Sequence, residues 1–147
     1  MNPLKSSLSA AALLFSAILL SSCGANGPAF KPVSPIPDGK GVVYIYRSSS
    51  IVGGAVYGTC KVDNSPITKI TNGGYYPYIA TPGTHNFTVT TEATNEANVT
   101  VDKGGEKYLK TTVGMGVIVG HLKFTEVSPM LGKSEIAECK LLEPLSN

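Results

Sequence analysis

Short runs of β-branched and aromatic residues alternate with polar positions along most of this chain, and Gly, Pro or Asn interrupts them every few residues. A period of two with frequent turn residues is the signature of β-strands. The runs predict strands over 42–48, 55–63, 67–71, 75–80, 85–92, 97–102, 107–113 and 117–127. Phe87, Val89 and Thr91 face one way and Asn86, Thr88 and Thr90 the other, while Val99 and Val101 alternate with Thr100 and Asp102. One buried and one wet face per strand is the pattern of antiparallel sheets. Val42 to Tyr46 is apolar at every position, which predicts a central strand covered on both faces.

The breaks carry their own chemistry. Thr81-Pro82-Gly83-Thr84 places Pro where φ must be near −65° and Gly where φ must be positive, as a type II turn requires. Asn72-Gly73-Gly74 reads as a hairpin loop, Asp63-Asn64-Ser65-Pro66 as a turn, and residues 103–106 join two alternating strands. Ser128-Pro129 followed by MLGKSEIAEC predicts a short C-terminal helix with Pro in its first turn. Met130, Leu131, Ile136 and Cys139 would share its apolar face, interrupted by Gly132. Residues 141–145 read as a final edge strand or an extended tail. The expected fold is therefore mainly β: an antiparallel sandwich of about 7–8 strands with a short C-terminal helix, a small barrel being the alternative.

The first residues follow a different rule. An apolar run from about residue 8 to residue 20 follows Lys5. It is shorter than the roughly 20 residues of a spanning helix and fits the apolar core of a secretory signal, about 7–15 residues. It closes on Leu20-Ser21-Ser22-Cys23, which resembles the lipobox of bacterial prolipoproteins. That resemblance implies a signal peptide over 1–22, cleavage before Cys23, and diacylglycerol on the Cys23 thiol. Two or three acyl chains anchor stably where one does not. Gly24 stands where inner-membrane lipoproteins of enterobacteria carry Asp, so the resemblance points to the outer membrane of a Gram-negative bacterium. Pro28, Pro32, Pro35 and Pro37 then predict an extended tether over 23–38, reaching up to roughly 45 Å from the bilayer, with one folded domain over 39–147.

Charge adds an exclusion. Removing 1–22 takes one lysine from 12 Lys and Arg, against 10 Asp and Glu, and leaves a net charge of +1. There is no basic block, so nucleic acid is not an expected partner. Cys60 and Cys139 remain beside the lipidated cysteine, and an oxidising compartment predicts a disulfide between them. His85 and His121 sit in no metal-ligand spacing and read as ordinary surface or half-buried residues; no metal or cofactor is expected. Tyr75, Tyr76 and Tyr78 form a candidate binding surface for a sugar ring or a partner, although strand-packing aromatics account for most such residues. No nucleophile elbow, phosphate loop or dinucleotide fingerprint occurs.

Taken in order, PDGKGVVYIYRSSS (37–50), Val62-Asp63, GYYPYIATPGTH (74–85) and GEKYLKTTVG (105–114) resemble the bacterial domain-of-unknown-function 2846 family. The resemblance runs from Pro37 to about Leu142 and implies a small Gram-negative lipoprotein with no established activity. The Val-Asp, Gly-Tyr and Pro-Gly-x-His arrangement is also similar to PEGA-type and carboxypeptidase-regulatory-like sandwiches, which are transthyretin-like and usually non-catalytic. Asn64 stands where those repeats place Gly after Asp. The expected function is a non-enzymatic envelope lipoprotein, held at the membrane through Cys23, whose sandwich meets an envelope protein partner. Two alternatives are a small glycan or lipid binder using the tyrosines and, more remotely, a hydrolase built around His85 or His121.

Overall fold

The computed structural model describes residues 24–118 and 120–146. Lipidation of Cys23 therefore lies outside the described residues. The strands run β1 (Gly41–Tyr46), β2 (Gly58–Val62), β3 (Ser65–Ile70), β4 (Gly74–Ala80), β5 (Gly83–Thr90), β6 (Thr94–Val101), β7 (Glu106–Gly114) and β8 (His121–Val127). The helix α1 (Pro129–Ile136) and a short strand β9 (Lys140–Leu141) follow. One sheet has the order β8-β7-β1-β4-β9 and the other β3-β2-β5-β6. The mainly β sandwich is thus the observed fold. Two pairings, β1 with β7 and β4 with β9, are parallel; the remaining strand pairs are antiparallel.

β1 is the central strand, and its continuous apolar run has two separate uses. Val43 and Ile45 face the second sheet and pack with Val62, Phe87, Val89 and Leu109. Val42, Tyr44 and Tyr46 point out of the sandwich yet are equally buried, in a second cluster with Tyr75, Tyr108, Ile136 and Cys139. Each such side chain contributes about 1.5–3 kcal/mol by leaving water.

The second cluster is roofed by α1 and by the N-terminal segment. Ser128 caps the helix, its hydroxyl accepting from the Leu131 N–H, with Pro129 in the first turn. The buried face differs from the expected one. Met130 and Leu131 are exposed, whereas Gly132 and Ile136 are buried. The reason is Tyr108: a Cβ on Gly132 would overlap its ring, so the missing side chain lets the helix backbone lie on the tyrosine. Glu135 locks the contact from beside it, accepting from Lys110 Nζ and Tyr46 Oη at 2.6 Å each. Those two donors hold its carboxyl below the usual glutamate range, Lys110 contributing most.

Residues 24–38 are not a solvated tether. Phe30 packs edge-to-face on Tyr44 and Tyr75, with ring centroids 5.6 and 5.0 Å away, and Val33 and Ile36 join the same cluster. The prolines remove donors, and several of the remaining N–H groups find acceptors. Ala25 donates to Asn72 O, Phe30 to Cys139 O, Lys31 to Tyr75 Oη and Val33 to Tyr44 Oη. The segment is the cover that β1's outward apolar residues require.

The connections correct the expected hairpins. Asp63-Asn64, both at positive φ (49° and 70°), is the true β2–β3 hairpin turn. Asn72-Gly73 is not one: β3 and β4 belong to different sheets, because β1 takes the edge of β4 and leaves β3 to β2. The connections from β4 to β5 and from β6 to β7 also pass between sheets. Residues 117, 118 and 120 do not extend β8. β7 ends at Gly114 paired with His121, so the chain between them has no strand to pair with. The C-terminal residues combine both readings offered by the sequence, a two-residue edge strand and then a tail whose Leu145 N–H donates to Ile67 O.

The expected Cys60–Cys139 disulfide is not formed. Both cysteines are free and buried. Cys60 points into the space between the sheets, Cys139 into the outer cluster, and the five-stranded sheet lies between them. A bridge needs Cβ atoms about 3.8 Å apart. Burial pushes the Cys60 thiol up to about 12 and the Cys139 thiol up to about 11. Neither thiol is therefore expected to react with iodoacetamide in the native protein near neutral pH, and both should label after unfolding without reductant. Absence of label in the unfolded, unreduced protein would contradict this placement.

Candidate functional site

The three tyrosines picked out by the sequence do not share a surface. Alternation along β4 sends Tyr75 into the outer cluster and Tyr76 and Tyr78 toward the space between the sheets. Tyr75 is buried, its hydroxyl receiving Lys31 N–H, and Tyr78 packs edge-to-face on Phe87 and His85. They are packing residues on two faces of one strand.

His85 is also packed inward, on the side of Phe87 and Val89. Its Nδ1 lies 2.7 Å from Asp63 Oδ2 and its Nε2 lies 2.8 Å from the Thr81 carbonyl. Both neighbours are acceptors, so the protonated ring donates from both nitrogens, and the site favours that form. The Asp63 bond, with the Thr81 carbonyl, raises the His85 pKa above its ordinary value; the His85 bond and the Asn86 N–H lower that of Asp63. The signs differ. The His85 contribution to stability is complete below its unfolded pKa of about 6.5 and is lost as pH rises through the folded value. The Asp63 contribution is present above its unfolded value of about 3.9 and is lost as pH falls through the folded one. Asp63→Asn should return the His85 titration, followed by its ring proton shifts, toward about 6.5. An unchanged titration would show that Asp63 is not the partner. His121 is half-buried beside Gly114 at the other end of the sandwich. Among the described residues no three His, Cys, Asp or Glu side chains gather as a metal ion would need.

The unusual surface lies at the end where β1 leaves its sheet. β7 continues to Gly114 after β1 has stopped beside Lys110. The vacated slot is a cavity of about 260 Å³ lined by Arg47, Ser48, Ser50, Thr111 and Val113 among others. Arg47 is 2% exposed, and among the described residues it makes no ion pair. Burial lowers its pKa. Its guanidinium donates to the carbonyls of Val56 and Gly53, so it latches the β1–β2 loop from beneath. The Thr111 hydroxyl beside it has no partner among the described residues.

Two further contacts shape this end. Asn72 clamps the same loop, Oδ1 accepting from Ser50 N–H and Nδ2 donating to Ser50 O, at 2.9 and 3.0 Å. The β7–β8 connection folds back so closely that a Cβ on Gly120 would meet Val113 and lie 3.4 Å from Val56. The two loops stand side by side and present Ile51, Val52, Met115, Val117 and Ile118, each at least 82% exposed. Residues 48–57 and 115–120 contain no charge. The chain's three aspartates, Asp38, Asp63 and Asp102, sit on turns at the opposite end. The sequence carried a signal for this surface. Ile51-Val52 stands among serines and glycines, and Val117 to Val119 has apolar residues at consecutive positions.

A family model described as "Protein of unknown function (DUF2846)" matches residues 37–122, more than half of the chain. The match takes in β1 to β7, both loops of the apolar end and the start of β8. No curated protein and no solved structure matches the chain.

Proposed function

We propose that this chain, which belongs to that family of unknown function, is a lipid-anchored, non-enzymatic module of the bacterial envelope that acts through its apolar loop end. The observation that carries the reading is the set of five fully presented side chains, Ile51, Val52, Met115, Val117 and Ile118, on loops fixed to a rigid sandwich. Exposed apolar side chains gathered on neighbouring loops mark a contact site. The lipobox-like sequence before Cys23 supplies the anchor, and Gly24 after it supports the outer membrane. The transthyretin-like and PEGA-type sandwiches this chain resembles are usually non-catalytic. The bonded state of His85 supports the same view. The glycan reading loses its support with the separation of Tyr75 from Tyr76 and Tyr78.

A photo-crosslinking amino acid placed at Ile51 or Ile118 in living cells tests the contact site. Adducts are expected from both positions and not from Lys103 at the far end. Equal capture from Lys103, or no capture from either loop, would overturn the proposal. The anchor is tested separately. Cys23→Ser should leave the membrane fraction, and retention there after a high-salt wash would place the anchor elsewhere.

A further inference from the structure

Four strand-to-strand connections, after β1, β3, β5 and β7, lie at the apolar end, and the α1–β9 connection over 137–139 joins them. The N-terminal segment ends among them. Gly24 bridges Asn72, the Ala25 N–H donates to Asn72 O, and the Asn72 side chain holds Ser50 next to Ile51. Cys23 is one peptide bond from Gly24, so their Cα atoms are about 3.8 Å apart. Because the segment over 24–38 is bonded down along the outer cluster, no slack chain separates the proposed lipid from the loops.

We infer that the apolar loop end rests in the same bilayer leaflet that receives the lipid on Cys23, with Ile51, Val52, Met115, Val117 and Ile118 entering the boundary between headgroups and acyl chains. The inference rests on the lipid-anchor reading and goes beyond it: the acyl chains fix a point, and the loops fix an orientation. Several features fit a lipid surface better than a protein partner. The anchor brings this end, and no other, to the bilayer. Apart from the buried Arg47, Glu92 is the single charged residue in the four strand-to-strand connections, and Glu138 joins it from the α1–β9 connection. Behind the apolar tips Tyr57 is 57% exposed, with Lys69 Nζ 3.7 Å above its ring. Tyrosine and lysine at that level match the headgroup belt of membrane proteins. The aspartate-bearing turns face away, where anionic lipid would not repel them.

The sandwich would then stand upright on the membrane, offering its far end, with Asp38, Asp63, Asp102 and the β4–β5 turn, to the periplasm or the cell surface.

The chain has no tryptophan, so one introduced indole is an unambiguous reporter. Ile118→Trp, with Ile51→Trp as a second position, would be prepared as the mature protein bound to phosphatidylethanolamine–phosphatidylglycerol vesicles, with and without brominated acyl chains. Loops seated as deep as interfacial helices, about 5–10 Å, should give blue-shifted emission quenched roughly twofold or more by the bromines. Lys103→Trp should emit as in water and stay unquenched. Mass analysis of the N-terminal peptide reports the lipid independently. Water-like, unquenched emission from both loop positions on a lipidated protein would overturn this inference and leave the anchor intact. An N-terminal peptide without lipid would overturn both.

Discussion

Gly132→Leu should lower stability by about 4 kcal/mol, the sum of overpacking and the lost burial of Ile136. The Gly132 backbone lies on Tyr108, and even a Cβ would overlap the ring. The helix must therefore lift off the sheet, taking with it Ile136 and the bonds from Glu135 to Lys110 and Tyr46. Gly132→Ala tests the sign. Helix propensity alone predicts a gain of about 1 kcal/mol, whereas the packing predicts a loss of about 1–3 kcal/mol. Urea denaturation of both variants decides between them. A stabilised Gly132→Ala would mean that the helix does not rest on Tyr108.

Arg47→Met should cost about 3 kcal/mol. Two charge-assisted bonds, each worth about 1.5–3 kcal/mol, are lost to the Val56 and Gly53 carbonyls. Relief of a desolvated cation offsets part of that. The damage should concentrate in the loop over 48–56, whose amides would exchange faster while those of β5 and β6 change least. Unchanged or increased stability would show that Arg47 is a tolerated buried charge and not the latch. A loosened loop should also weaken the apolar end, because Ile51 and Val52 stand on it.

Strands and turn chemistry were legible in the sequence because they depend on neighbours. The period of two placed β5 and β6, and the continuous run of Val42 to Tyr46 marked the doubly covered central strand. Errors arose where the outcome depends on distant residues. Asn72-Gly73 has the composition of a hairpin, yet competition for the edge of β4 decided which strand paired with which. Gly132 reads as a helix weakener until Tyr108 is seen beneath it. Two cysteines in an oxidising compartment suggest a bridge, but Cys60 faces the space between the sheets from β2, while Cys139, after the helix, lies in the outer cluster across the five-stranded sheet. Four prolines suggest a free tether, and they are equally suited to a covering strip that must not present many donors. The exposed apolar surface was hidden in part because Val117 and Ile118 have strand-like residue types. Only the end of β7 at Gly114 makes them a loop.

The proposed orientation on the membrane depends on residues 24–38 being part of the fold. Hydrogen exchange of the mature protein, resolved to single amides, measures this directly. The amides of Ala25, Phe30 and Val33 should be protected to a degree comparable with Leu142, whose N–H donates to Tyr75 O in the sheet. Exchange of these three amides at the rate of an unstructured peptide, with Leu142 still protected, would contradict the account. The proposed lipid site and the apolar loops would then no longer share one end of the sandwich.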